Sequence, residues 1–92
     1  MGVELTHPDL VNNLLAGFDA TGNNSAGAPT HNNEYAAHGT ACAGIAAAQA
    51  NNIIGIAGVA YGSRILPVKV INTNSGGTTT ESQFIINGIN WA

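Results

Sequence analysis

The sequence predicts an α/β fold built on a parallel sheet, and three stretches carry that prediction. Residues 65–71, Ile-Leu-Pro-Val-Lys-Val-Ile, form a near-continuous apolar run rich in Val and Ile, the pattern of a strand covered on both faces. Gly39 to Ala50 contains almost nothing but Ala, Gly, Ile and one Cys, which reads as a helix buried on most sides. Beyond residue 80, Phe84, Ile85, Gly88 and Ile89 recur at helical spacing. Strand, loop and helix in that order make half of a βαβ unit.

Taken in order, Val3 to Leu10 opens with a short apolar alternation and then meets Thr6-His7-Pro8-Asp9. Pro8 forces His7 out of the helical region and Asp9 can bond nearby backbone, so this is a turn. Leu10-Val11 and Leu14-Leu15 fit one helical turn or a short strand, which Gly17 is expected to end. From Asp19 to Asn33 the composition shifts to Gly, Asn, Ser, Thr and Pro, a surface loop long enough to be functional or mobile. Asn51-Asn52 stops the small-residue helix, and Ile53 to Ala60 follows as an apolar loop punctuated by glycine. Gly62-Ser63 turns the chain into the strand at 65–71, where Pro67 is tolerable near the start. Asn72 to Thr80 reads as a second polar loop. Thr78-Thr79-Thr80-Glu81 then offers a capping box, so a helix is expected to begin near Thr80. That helix reaches Trp91-Ala92 without a C-cap, and no partner strand follows it. The expectation is a piece of a larger domain.

Composition narrows the function. Hydrophobic residues make up 45% of the 92 and charged residues only 8%, too apolar for a disordered chain. The net charge of −3 arises from Glu4, Asp9, Asp19, Glu34 and Glu81 against Arg64 and Lys69. Without a basic patch, nucleic acid is not an expected partner. The single Cys42 excludes an internal disulfide, and with three scattered His it gives no paired zinc-ligand spacing. No run of about 18 apolar residues and no basic-then-apolar leader is seen, so neither a membrane partner nor a signal peptide is expected on this chain.

His38 is the residue this composition sets apart. In His38-Gly39-Thr40-Ala41-Cys42-Ala43-Gly44 a titratable ring stands at the mouth of the small-residue helix. There the helix dipole opposes a positive imidazole and favours the neutral form that a general base needs. Spacing alone fits an exposed loop histidine better. Cys42, four residues on, falls beneath the imidazole and reads as a small hydrophobe. His7 and His31 read as turn and surface residues.

The same seven residues resemble the histidine signature of the subtilisin-like serine proteases, with Cys at the fifth place as in the proteinase K branch. Gly2 to Leu10 resembles the segment that follows that family's aspartate motif, Asn51 to Ala60 its calcium loop, Ile65 to Val70 a central strand, and Ile85 to Ala92 the helix after it. The resemblance implies a three-layer α/β subtilisin-like fold with a parallel sheet, present as an N-terminal-half fragment. Residues 1–92 would be a partial subtilase (peptidase S8) catalytic domain. It further implies a secreted serine endopeptidase that hydrolyses a polypeptide substrate through an acyl-enzyme, with His38 as the catalytic base. Gly2 would close the Asp-Ser/Thr-Gly motif, which puts the catalytic aspartate just before Met1 and the serine and oxyanion asparagine beyond Ala92. The chain alone is therefore expected to be inactive.

Asp9 and Asn52 match side-chain ligands of the family's structural calcium, with backbone carbonyls near Gln49, Ile54 and Ile56 completing the set, an oxygen-only shell suited to a hard cation. One extra residue separates the helix from Gly55. The segment Ser75 to Thr80 corresponds to the edge that lines the S4 side of the substrate cleft, longer here by about three residues. Two other classes compete: a non-catalytic interaction module retaining the scaffold, and a small nucleotide-binding α/β unit, for which no Gly-x-Gly-x-x-Gly follows a strand. Unpaired strand edges around 65–71 predict self-association.

Overall fold

Two segments far apart in sequence run side by side in the same direction at the centre of the computed structural model, which describes residues 1–92. Ile65 donates to the carbonyl of Asn13 (2.7 Å), Leu15 to Ile65 (2.8 Å), Phe18 to Pro67 (2.8 Å) and Ala20 to Lys69 (2.9 Å). This exchange is a parallel ladder, with one extra residue on the first segment between the Leu14–Ile65 bridge and the Phe18–Val68 pair. Its regular part pairs β1 (Phe18–Asp19) with β2 (Val68–Lys69), Phe18 opposite Val68 and Asp19 opposite Lys69, after a bridge between Leu14 and Ile65. Pro67 uses only its carbonyl toward β1, so its missing N–H costs nothing on that side.

The α/β class expected from the sequence is thus present, with local corrections. Val11–Asn13 forms a single 3₁₀ turn, and Leu14 leaves it in extended conformation, so the Leu10 to Leu15 stretch supplies both of the forms it fitted. Gly17 does not end the strand. A Cβ there would lie 3.0 Å from the Pro67 side chain, and glycine instead lets the two backbones meet while the chain continues into β1.

The small-residue helix α1 spans Glu34–Ala47, starting five residues before Gly39 and ending before Ala50. Asn33 caps it by accepting from the Ala36 amide at 2.9 Å, a signal stronger than the apolar pattern that the sequence reading followed. Its last four carbonyls are all satisfied without a C-cap glycine: Gly44 by Ala48, Ile45 by Val59, Ala46 by Ala60, and Ala47 by the Asn13 side chain. Burial on most sides is overturned. Within α1 only Ala36 and Ala47 are buried, and Ile45 is 63% exposed, because the helix rests on loops along one side and is open on the other.

The polar loop expected over 72–80 is an antiparallel hairpin. β3 (Asn72–Asn74) pairs with β4 (Gly77–Thr79), Thr73 opposite Thr78, around a two-residue tip of Ser75-Gly76. The Asn74 side chain accepts from the Gly76 amide at 2.9 Å and closes the turn, and the threonines of β4 suit a pleated strand. No capping box forms. Thr80 donates its hydroxyl to the Val70 carbonyl at 2.6 Å, and Glu81, the N-cap of α2 (Ser82–Trp91), makes no side-chain cap bond. That helix packs on β1 and β2 through a Phe18–Trp91 ring stack (5.0 Å, 13° between planes) and through Gly88, which leaves room for Val68 and Val70. No helix is long and apolar enough to cross a membrane.

Candidate active site and cation loop

His38 lies in the second turn of α1, with its side chain on the exposed surface. The sequence placed it at the helix mouth; the earlier start at Glu34 moves it inward. A dipole effect that fades within the first turn therefore no longer argues for a neutral ring. Its Nε2 is 3.6 Å from Sγ of Cys42, the expected i, i+4 neighbour. The adjacent backbone is pinned from the N-terminal segment. A Cβ at Gly39 would fall 3.0 Å from the carbonyl carbon of Gly2, and Thr40 accepts from the Glu4 amide at 2.9 Å. The Gly2 and Gly39 backbones touch because Gly39 has no Cβ to hold them apart.

A second polar centre forms beyond the other end of α1, about 14 Å along the helix axis from His38 to Ala47 at 1.5 Å per residue. Asp9 is buried in the loop that follows the helix. Its Oδ1 accepts from Asn52 Nδ2 (2.7 Å) and its Oδ2 from the Ile56 amide (2.9 Å), while its own carbonyl accepts from Gln49 (3.0 Å). Asn52 Oδ1 in turn accepts from the Ile54 amide at 3.4 Å. The bonds from Asn52 and then Ile56 hold the Asp9 carboxyl below the usual carboxylate range. Gly55 sits at φ +58° with its would-be Cβ position 2.7 Å from the Asp9 carboxyl carbon, so the loop can wrap the carboxylate only with glycine there. A cavity of about 260 Å³ opens within residues 49–57.

His7 is a turn residue whose Nδ1 accepts from the Asp9 amide at 3.2 Å, and His31 lies exposed beside Thr30. Both border an open cavity of about 920 Å³ under the Ala37, Ala41 and Ile45 side of α1. Neither joins His38 in a shared cluster.

A third centre escaped the sequence reading. Lys69, in the middle of the apolar run, is 1% exposed, and its Nζ lies 3.5 Å from Asp19 Oδ2 and 3.1 Å from Thr30 Oγ1. Asp19 also accepts from the amides and hydroxyls of Thr21 and Ser25, at distances from 2.5 to 3.1 Å. Burial raises the Asp19 carboxyl, but the Ser25 and Thr21 bonds outweigh it and hold the group far below the ordinary carboxylate range. A lone lysine between Val68 and Val70 was the available signal, since a buried cation demands a partner.

Comparison with known proteins bears on the whole chain. A family model described as the subtilase family matches residues 1–92. Thermitase of Thermoactinomyces vulgaris is 44% identical over 91 residues, covering 99% of this chain and 30% of that protein. The major intracellular serine protease of Bacillus subtilis (strain 168) is 40% identical over 91 residues, covering 99% and 27%. Subtilisin of Bacillus pumilus is 38% identical over 94 residues, covering 99% and 30%. The chain thus spans less than a third of the length of these relatives, one of which is named as intracellular.

Proposed function

The chain belongs to the subtilase family, and from that premise we propose that it is the part of a serine-type endopeptidase that carries the general base, His38. The observation that supports this most is an exposed imidazole on a helix held to the N-terminal segment by backbone contact between Gly39 and Gly2. In this reading Nε2 of His38 takes the proton of a serine hydroxyl as that oxygen attacks the peptide carbonyl. It then returns the proton to the leaving amine. The orienting aspartate and the serine come from outside residues 1–92, so these residues alone hydrolyse nothing. The edge of the β3–β4 hairpin receives the extended polypeptide substrate by strand pairing. The whole protein acts outside the cell.

Calcium is part of the same proposal. The Asp9 carboxylate and the Asn52 amide oxygen, with carbonyls of Gln49, Ile54 and Ile56, would hold it, an oxygen donor set that fits a hard cation. The proximity of Asp9 and Asn52 and the small cavity lined by Gln49, Asn52, Ile54 and Ile56 support the fit. A bound calcium ion would supply charge neutralisation at Asp9 and rigidity to the loop after α1.

The test is hydrolysis of a chromogenic peptide by the full-length protein. Activity should be blocked by a serine-directed sulfonylating reagent and fall at least about a thousandfold in His38→Ala. Hydrolysis that survives His38→Ala sinks the proposal. The 92-residue chain alone should show no turnover. With Ile45, Val59 and Ile89 from 63 to 88% exposed, it should also self-associate; a clean monomer on sedimentation would refute that.

A further inference from the structure

One amide side chain joins the helix that carries His38 to the hairpin. Asn33 accepts from the Ala36 amide through Oδ1 (2.9 Å), capping α1, and donates through Nδ2 to the carbonyl of Asn74 (3.0 Å), at the tip of the hairpin. No other hydrogen bond connects α1 or its cap to β3 or β4. The base of the hairpin has its own anchors, Asn23 Nδ2 on Asn72 Oδ1 (2.6 Å) and Thr80 on the Val70 carbonyl. The tip has only Asn33 to tie it to the rest of the protein.

We propose that Asn33 is a positioning residue for the peptidase reaction, coupling occupation of the hairpin by an extended substrate to the placement of His38. The coupling is mechanical. His38 lies about 7.5 Å along the axis from the cap, over hydrogen-bonded helix that moves as a body. A substrate strand that pairs with the hairpin fixes its tip, and through the Asn74 carbonyl fixes the first turn of α1. Without the link the first turn of α1 is held only from the His38 side, by the Gly39 and Thr40 contacts with the N-terminal segment, and small displacements of a base are costly to rate. Longer peptides would then gain turnover from residues far from the cleaved bond.

This rests on the proposed function, and one set of measurements separates the two. In the full-length protein, kcat and KM are compared for a peptide extending six residues before the cleaved bond and for a single-residue ester. Asn33→Ser keeps the cap and removes the donor to Asn74; Asn33→Asp keeps the cap and faces the carbonyl with a second oxygen. Both should lower the long-to-short kcat ratio about tenfold while the KM of the long peptide changes less than about twofold. An unchanged ratio in an active enzyme overturns the positioning role alone. So does an equal fall for both substrates with a lowered Tm, which is the result for a merely structural cap. If the wild type does not hydrolyse either substrate, or does so without His38, the function and the positioning role fall together.

Discussion

Asp9 and Asp19 are both buried carboxylates, and each organises a loop, yet they are satisfied in opposite ways. Asp19 is closed: four donors from Thr21 and Ser25 converge on it, and the Lys69 ammonium completes the cluster at 3.5 Å. Asp9 is open. It has the Asn52 amide and the Ile56 N–H, with no lysine or arginine bonded to it, and it borders the open cavity of about 920 Å³ while these two partners line the one of about 260 Å³. A buried anion whose charge is already balanced is a structural element. One held only by neutral donors retains an electrostatic demand that a cation can meet.

The difference can be broken most forcefully at Asp19. Asp19→Ala strands Lys69 as an unpaired buried charge and should cost about 3–5 kcal/mol in denaturant unfolding. Lys69→Met should cost less, because Asp19 keeps its Thr21 and Ser25 bonds. If the two variants are equally damaging, the cluster depends on the ion pair and not on those bonds.

At Asp9 the expected effect is smaller and depends on calcium. A hundredfold excess of calcium over its dissociation constant should raise the Tm of the full-length protein by about 5–10 °C, and Asp9→Asn should abolish that response. Asp19→Asn should leave the calcium response in place. A response that is absent, or that survives Asp9→Asn, removes Asp9 as a ligand.

The finest test is acid titration of stability. Both carboxyls sit below their ordinary range in the folded state, so the stability they contribute is complete above about pH 4, the unfolded value. It is lost as pH falls through the folded values, where the unfolded chain binds more protons. Asp19 lies further below, so Asp19→Asn should remove about one proton of uptake from the acid limb, and Asp9→Asn less. Equal flattening would erase the contrast.

Much of the site was legible because it is local. His38 and Cys42 were placed together by helical periodicity alone, and the Thr6 to Asp9 turn followed from Pro8. The helix start was legible and missed: Asn33 followed by Glu34 is a cap and an acidic first turn, overlooked because the apolar pattern begins later. The hairpin was hidden by polar composition, since its register depends on Asn74 turning the chain at Gly76 and on threonines that pair only once that turn exists. The Lys69 partner lay fifty residues away among five acids, and no spacing rule selects Asp19 from them.

The sequence by itself determined the α/β class, the small-residue helix and the histidine on it, because propensity, periodicity and motif spacing act within a few residues of one another. Only the tertiary structure decided which aspartate is closed by a lysine, which is left open beside Asn52, and that one asparagine ties His38's helix to a hairpin. Those are contacts across long loops, and their energy comes from burial and pairing that exist only after the chain has folded.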